Sequence, residues 1–188
     1  MKTKILIYTP VLISILLIFT TSACGRWLIK GQVVDAETGQ TIDGAVVAIE
    51  WIRYKLGPPG LPSEFEILEQ TEDVSDAEGL FKVPKYDPFN TEFFMSVYKK
   101  GYVCWSSRKI FPTFEERKDF DLKDGMMIKL EKFKEGYSRE KHAIFTSSRP
   151  WYGSLFREAI KEEIKIADQY RERLKRNWKK RNREKRRK

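Results

Sequence analysis

The sequence predicts a mainly β protein: a seven-stranded antiparallel sandwich followed by one C-terminal α-helix. Two observations carry that prediction. Over residues 27–133, short runs rich in Val, Ile and aromatic residues alternate with turns built on Gly and Asp, and no helical period interrupts them. Short strands joined by such turns form antiparallel sheets, whereas a parallel βαβ sheet needs helices in between. From Ser154 the period changes: Phe156, Ile160, Ile164, Ala167, Leu174 and Trp178 recur at three- and four-residue steps, apart from one double interval. That spacing lines up one apolar stripe on a helix.

The chain opens on a basic start, Met1-Lys2-Thr3-Lys4, runs without a charge over residues 5–19, then turns to small residues from Thr20 to Gly25. Basic, apolar, small is the order of a secretory signal. As a helix the apolar run covers roughly 22 Å at about 1.5 Å per residue, short of the about 30 Å of a bilayer core. The reading is a leader over residues 1–23 and an exported protein. Thr21-Ser22-Ala23-Cys24 resembles a bacterial lipobox, with Thr21 standing where Leu is usual. The resemblance implies acylation of Cys24 and attachment to a membrane through that lipid, with Gly25 permitting sorting to an outer membrane in a cell with two membranes. Thr21 and Ala23 also satisfy the small-residue rule for ordinary signal cleavage, which gives a soluble exported protein starting at Cys24. With lipid on Cys24, Cys104 has no disulfide partner. It lies in the apolar run Tyr102-Val103-Cys104-Trp105 and is expected to be a buried, inert thiol.

The seven strands are expected over residues 27–34, 44–53, 68–74, 80–83, 93–98, 103–110 and 126–130, from their β-branched and aromatic content. The turns between them include Asp35-Ala36-Glu37-Thr38-Gly39, Asp76-Ala77-Glu78-Gly79, Lys99-Lys100-Gly101 and Lys123-Asp124-Gly125. Asp35 and Asp76 sit where a side chain bonds turn amides. Gly39, Gly79 and Gly101 sit where a turn takes positive φ, which costs Gly nothing sterically. These carboxylates read as turn formers rather than calcium ligands, since calcium wants six or more oxygens and no further acidic cluster adjoins Asp76 and Glu78. Of the aromatics Trp51, Phe65, Phe93, Phe94, Trp105 and Phe111, most belong in a core and the remainder on a surface.

The same stretch resembles a known family. Ile29-Lys30-Gly31-Gln32-Val33-Val34, the Asp35…Thr38-Gly39 turn, Ile42-Asp43-Gly44-Ala45-Val46-Val47, Ser75-Asp76-Ala77-Glu78-Gly79-Leu80-Phe81 and the Gly101-Tyr102 pair follow the order of carboxypeptidase regulatory-like domains. Thr41 stands where that family usually has Pro. The resemblance implies a transthyretin-like (prealbumin-like) Greek-key sandwich over residues 24–133. That family accompanies peptidases in some proteins, but company transfers no activity.

Leu56-Gly57-Pro58-Pro59-Gly60-Leu61-Pro62-Ser63 cannot continue a strand, because Pro removes donors and fixes φ. It reads as a stiff loop over residues 56–63. Residues 134–153 read as a polar, irregular linker holding His142, the chain's only histidine, as a surface residue. Residues 154–188 read as the amphipathic helix with a basic tail, capped by Ser154. Its first half is expected to dock on the sandwich, and residues 179–188, with little to bury, to be frayed.

Charge is concentrated at that end. Residues 170–188 carry 12 Lys or Arg and two Glu, a balance of +10 against +9 for the whole chain, so the remainder carries about −1. A basic tail on an exported protein points to anionic envelope surfaces rather than to nucleic acid. The residues expected to meet such a surface are Arg173, Lys175, Arg176, Lys179, Lys180, Arg181, Arg183, Lys185, Arg186, Arg187 and Lys188.

One histidine rules out a zinc peptidase site of ordinary type. No Walker-type phosphate loop occurs, and no catalytic, metal or cofactor site is legible. Two functions are therefore expected. In one, a non-catalytic envelope module binds another envelope component or supports an assembly. In the other, the basic helix is the working part and binds anionic membrane or a cell-wall polyanion.

Overall fold

The computed structural model describes residues 28–55, 64–85, 91–148 and 153–186. The leader, Cys24, the Pro-rich loop 56–63, Arg187 and Lys188 lie outside them. The described chain runs β1 (Leu28–Asp35), β2 (Val46–Lys55), β3 (Glu64–Val74), β4 (Leu80–Pro84), β5 (Glu92–Tyr98), β6 (Trp105–Ser106), β7 (Lys109–Ile110), β8 (Glu115–Glu116) and β9 (Met126–Leu130). Three helices follow: α1 (Arg139–Thr146), α2 (Ser154–Ala159) and α3 (Lys161–Lys185). The protein is mainly β with a C-terminal helix. A three-stranded sheet, β4-β1-β9, faces a four-stranded sheet, β3-β2-β5-β6, and β7 pairs with β8 beside them.

Two expectations about the strands are corrected. The described residues hold nine strands in three sheets, not seven, and β9 pairs with β1 in parallel, so the sandwich is not wholly antiparallel. The strand expected over residues 103–110 breaks because local bonds compete with the ladder. The Ser107 hydroxyl accepts the Met95 N–H at 2.9 Å, and the Arg108 N–H turns back to the Ser106 hydroxyl at 3.3 Å. The chain then leaves the four-stranded sheet as β7.

Burial explains the residue patterns. β4 and β9 alternate buried and exposed positions, as strands with one face in water do. In β2, Val47 to Ile52 are buried without a break, because both faces are covered. Toward the other sheet, Val47, Ile49 and Trp51 join Val33, Phe81, Met95 and Ile128 in one core. On the opposite face Ala48 and Tyr98 join Phe145, Phe156 and Ile160 of the helices in a second. Trp51, Trp105 and Phe111 are buried, Phe93 and Phe94 half-buried, and Phe65 is 52 % exposed. Gly31 is needed for the first core, since a Cβ there would collide with the Phe81 ring.

The turn chemistry is as expected. Gly39, Gly79 and Gly101 have φ of +71°, +72° and +91°. Asp76 accepts the N–H groups of Glu78 and Leu80 at 3.1 and 2.7 Å. Asp35 accepts those of Glu37 and Thr38, both at 2.9 Å, and also meets the Tyr102 hydroxyl at 3.1 Å and Lys132 at 3.3 Å. The Thr38 amide foremost, with Glu37, Tyr102 and Lys132, holds the Asp35 carboxyl well below its ordinary range against the opposing effect of burial. Its folded-state pKa is depressed, so its stabilisation is full above the unfolded value of about 3.9 and drains away as pH falls below it. Asp35→Asn should therefore lower stability at pH 7 but leave a shallower loss between about pH 4 and 2, read from denaturant midpoints across pH.

The linker expectation is also corrected. Residues 139–146 form α1, with the Ser138 hydroxyl accepting the Lys141 N–H at 3.2 Å as its cap. The C-terminal helix is interrupted at Ile160 (φ −94°, ψ 11°), giving the short α2 before α3. Ser154 is not its cap. Gly153 holds that position, and Glu72 of β3 accepts the Leu155 N–H at 3.0 Å and the Phe156 N–H at 2.9 Å. A Cβ at Gly153 would collide with that carboxylate. Because Glu72 serves the first-turn amides and seats Phe156, which is 0 % exposed, Glu72→Ala should cost about 1–2 kcal/mol by chemical denaturation.

Candidate functional site

Two features of the helical layer draw together the charged chemistry of the chain. The first is a buried latch. α1 and α3 lie against each other on the outer face of the four-stranded sheet, and Glu163 in the first turn of α3 is 0 % exposed. Its Oε1 meets the Arg139 guanidinium of α1 at 2.8 Å and accepts the Tyr98 hydroxyl of β5 at 3.2 Å. Its Oε2 faces Nδ1 of His142 at 3.6 Å, and neither of those atoms has another partner among the described residues. His142 Nε2 accepts the backbone N–H of Cys104 at 3.0 Å. With that lone pair engaged, the ring carries its proton on Nδ1, aimed at Glu163. Four residues from three elements thus join the helices to the sheet. Burial first, and Glu163 beside it, push the Tyr98 hydroxyl above its ordinary range.

Cys104, His142 and Glu163 are brought together in the order of a nucleophilic triad, but not in its geometry. The imidazole bonds the Cys104 backbone rather than its thiol, and the Cys104 Sγ lies 3.7 Å from the Trp105 carbonyl. Burial pushes the thiol up to about 12. A nucleophile wants the opposite, a lowered pKa and a base on the thiol. Cys104 is the buried thiol expected of it, and His142, read as a surface residue, is 1 % exposed. Among the described residues no group of three His, Cys, Asp or Glu side chains is placed to hold a metal ion.

The second feature is the free half of α3. Ile160, Glu163 and Ala167 are buried against the body, with Ile164 beside them. From Arg171 onward almost every residue is exposed, and the helix continues through Lys185. At about 1.5 Å per residue those last 15 residues project by roughly 22 Å. Residues 179–185 are therefore helical rather than frayed. Glu162 and Glu163 in the first turn and Arg183 and Lys185 in the last suit the helix dipole.

At 3.6 residues per turn, Leu174 and Trp178 continue the line of Ile160, Ile164 and Ala167 past the point where the body ends. They are 47 % and 60 % exposed. Arg176, Lys179, Lys180 and Arg183 crowd the opposite side, while Arg181 and Lys185 stand at the far end of the apolar line. Arg173 is partly engaged: it meets Glu140 at 3.5 Å and stacks at 4.9 Å on the Tyr170 ring. Lys175 pairs with Glu172 at 2.7 Å. Arg176, Lys179, Lys180, Arg181, Arg183, Lys185 and Arg186 make no ion pair with a described residue. Arg171, outside the set expected from sequence, pairs with Asp168 at 2.9 Å and reaches Ser147 at 3.3 Å. Among the described residues no helix is long and apolar enough to cross a membrane.

No protein-family model and no curated protein matches the chain. Among solved structures it is similar to a 3-chlorocatechol 1,2-dioxygenase from Rhodococcus opacus, with a TM-score of 0.36 at 16 % identity over 56 % of this chain and 59 % of that one. It is also similar to the backbone protein of the group B streptococcus pilus 2b, with a TM-score of 0.33 at 15 % identity over 57 % and 42 %. A streptococcal ancillary pilin gives a TM-score of 0.30 at 16 % identity over 56 % and 29 %. The chain spans less than two thirds of the length of each of these structures, and the likenesses assign it no activity, substrate or partner.

Proposed function

We propose that this chain is an exported, non-catalytic envelope module whose working part is the basic half of α3, lying on an anionic membrane surface. The sandwich, which we read as a transthyretin-like member of the carboxypeptidase regulatory-like group, serves as the platform. The observation that carries the reading is the uncovered pair Leu174 and Trp178 in line with the docked stripe, with cations on the remaining sides. A polyanion needs only the cations. A lipid interface also takes the Leu and Trp side chains, and a basic helix with such a face is the form that lies in the interfacial plane.

Magnitudes support a surface role. Residues 171–186 carry ten Lys or Arg and two Glu, and each Lys or Arg near an anionic leaflet contributes about 1 kcal/mol before screening. Lipid on Cys24 would supply a second attachment, and stable peripheral anchoring takes two signals. Where Cys24 is not acylated, α3 carries the attachment alone.

Vesicle sedimentation tests the reading. The full chain should prefer phosphatidylglycerol-containing vesicles to neutral ones by about a hundredfold at low salt, with the preference falling as salt rises. A chain ending at Gln169 should keep whatever neutral-lipid binding its N-terminus gives and lose the preference. An unchanged preference after that truncation would reject the role given to α3. Tighter binding to a soluble polyanion such as heparin than to the vesicles would favour the cell-wall reading.

A further inference from the structure

A second site, independent of the helix, lies on the outer face of the four-stranded sheet. There β5 runs beside β6, and the last turn of α1 and the turn between β6 and β7 close a pocket of about 230 Å³. Its floor is buried: Met95 is 1 %, Cys104 and Thr146 each 3 %, and Ser96 8 % exposed. Phe94 and Phe145 add aromatic wall, and Ser106 and Ser148 add hydroxyls. Among the described residues, the charged side chains lining it are Arg108 and Lys109.

Those two cations are not equivalent. Arg108 is already paired with the Glu92 carboxylate and lies 4.6 Å above the Phe94 ring. Lys109 makes no ion pair with a described residue. Ser96 is 8 % exposed, and its hydroxyl makes no hydrogen bond with a described residue. A hydroxyl with no partner is free to donate or accept toward a molecule in the pocket. A cavity of this size would hold about seven or eight waters, at about 30 Å³ each, and is smaller than the roughly 300 Å³ at which drug-sized sites begin.

We propose that this pocket binds a small monocarboxylate with a short apolar body, its carboxylate between the Lys109 ammonium and the Ser96 hydroxyl and its body against Phe94 and Phe145. One uncommitted cation matches one negative charge. A dianion such as a phosphate monoester would leave half its charge unmatched, because Arg108 is held by Glu92. The buried thiol of Cys104 serves here as wall, not as nucleophile. The site shares no residue with the free half of α3, so its fate and that of the membrane reading are decided by different experiments.

The test is a titration of the full chain with hexanoate and with hexanamide, its neutral isostere, followed by amide NMR shifts. Hexanoate should shift the amides of Ser96, Cys104 and Thr146 saturably and bind at least tenfold tighter than hexanamide. Lys109→Gln, an exposed change that leaves the fold intact, should weaken hexanoate about tenfold and abolish the preference, and Lys109→Arg should restore most of it. Equal affinity for the two probes, unchanged affinity in the Lys109→Gln protein, or shifts confined to other parts of the chain would each overturn the proposal.

Discussion

Arg139→Met should destabilise the protein by about 3 kcal/mol, and adding Glu163→Gln should recover much of the loss. The single change leaves the Glu163 carboxylate in a site where it is 0 % exposed, without its cation at 2.8 Å. Breaking a buried pair from one side costs about 3–5 kcal/mol, chiefly because the remaining charge is stranded. The low end applies here, since the Arg139 side chain is 43 % exposed and water can follow it in. The Gln side chain removes the stranded charge, keeps an oxygen for the His142 Nδ1–H and can donate its amide N–H to the Tyr98 hydroxyl oxygen. Glu163→Gln alone leaves Arg139 able to turn to solvent and should cost only about 1 kcal/mol. A double-mutant cycle by urea denaturation reads the coupling. Additive single changes would mean that the latch is not one unit.

The second large effect concerns binding rather than folding. Leu174→Ser with Trp178→Ser should reduce association with phosphatidylglycerol vesicles by on the order of a hundredfold. Burying a large apolar side chain contributes about 1.5–3 kcal/mol. At the lower value two of them give about 3 kcal/mol, and 1.4 kcal/mol is tenfold in affinity. Stability should hardly change, because both side chains are exposed already, at 47 % and 60 %, and such surface changes stay within about 0.5 kcal/mol. Lys179→Gln with Lys180→Gln and Arg183→Gln should instead flatten the salt dependence and leave the apolar contribution in place. A loss that divides this way distinguishes an interfacial helix from a simple polycation.

Much of the fold was legible because its determinants are local. Asp35 and Asp76 bond amides within a few residues, so their turn chemistry shows in short strings. β4 and β9 alternate, and β2 from Val46 to Ile52 is apolar except for Glu50, so strand identity is also written locally. What escaped depends on distant partners. His142 is polar and stands in a polar stretch, yet it is buried because Cys104 and Glu163 meet it across the helical layer. α1 spans only eight residues, too few for a helical period to stand out. Ser154 is a good local cap, but Glu72, more than 80 residues earlier, brings two carboxylate oxygens to the same amides. The break of 103–110 into two strands depends on Ser107 bonding Met95, again across strands.

The candidate site shows the same division. The apolar stripe from Phe156 to Trp178 and the crowd of cations were readable as a pattern. Where the stripe stops being covered was not, because that depends on where the body ends. Docking stops after Ala167 and Tyr170, and the difference between a core helix and a free interfacial face is set there. The pocket beside Lys109 left no trace in the sequence, since β5, β6, β7 and α1 each supply only one to three residues.

The central claim is that the free half of α3 enters a lipid interface, and the depth of Trp178 tests it most directly. The full chain and its Trp178→Phe variant are bound to phosphatidylglycerol vesicles containing lipids brominated along the acyl chain, and the difference between their emissions isolates Trp178. The account predicts that this component shifts to the blue on binding and is quenched by bromines near the headgroup end more than by those near the chain end. Full binding with the Trp178 component unshifted and unquenched would contradict it and leave α3 a solvated polycation.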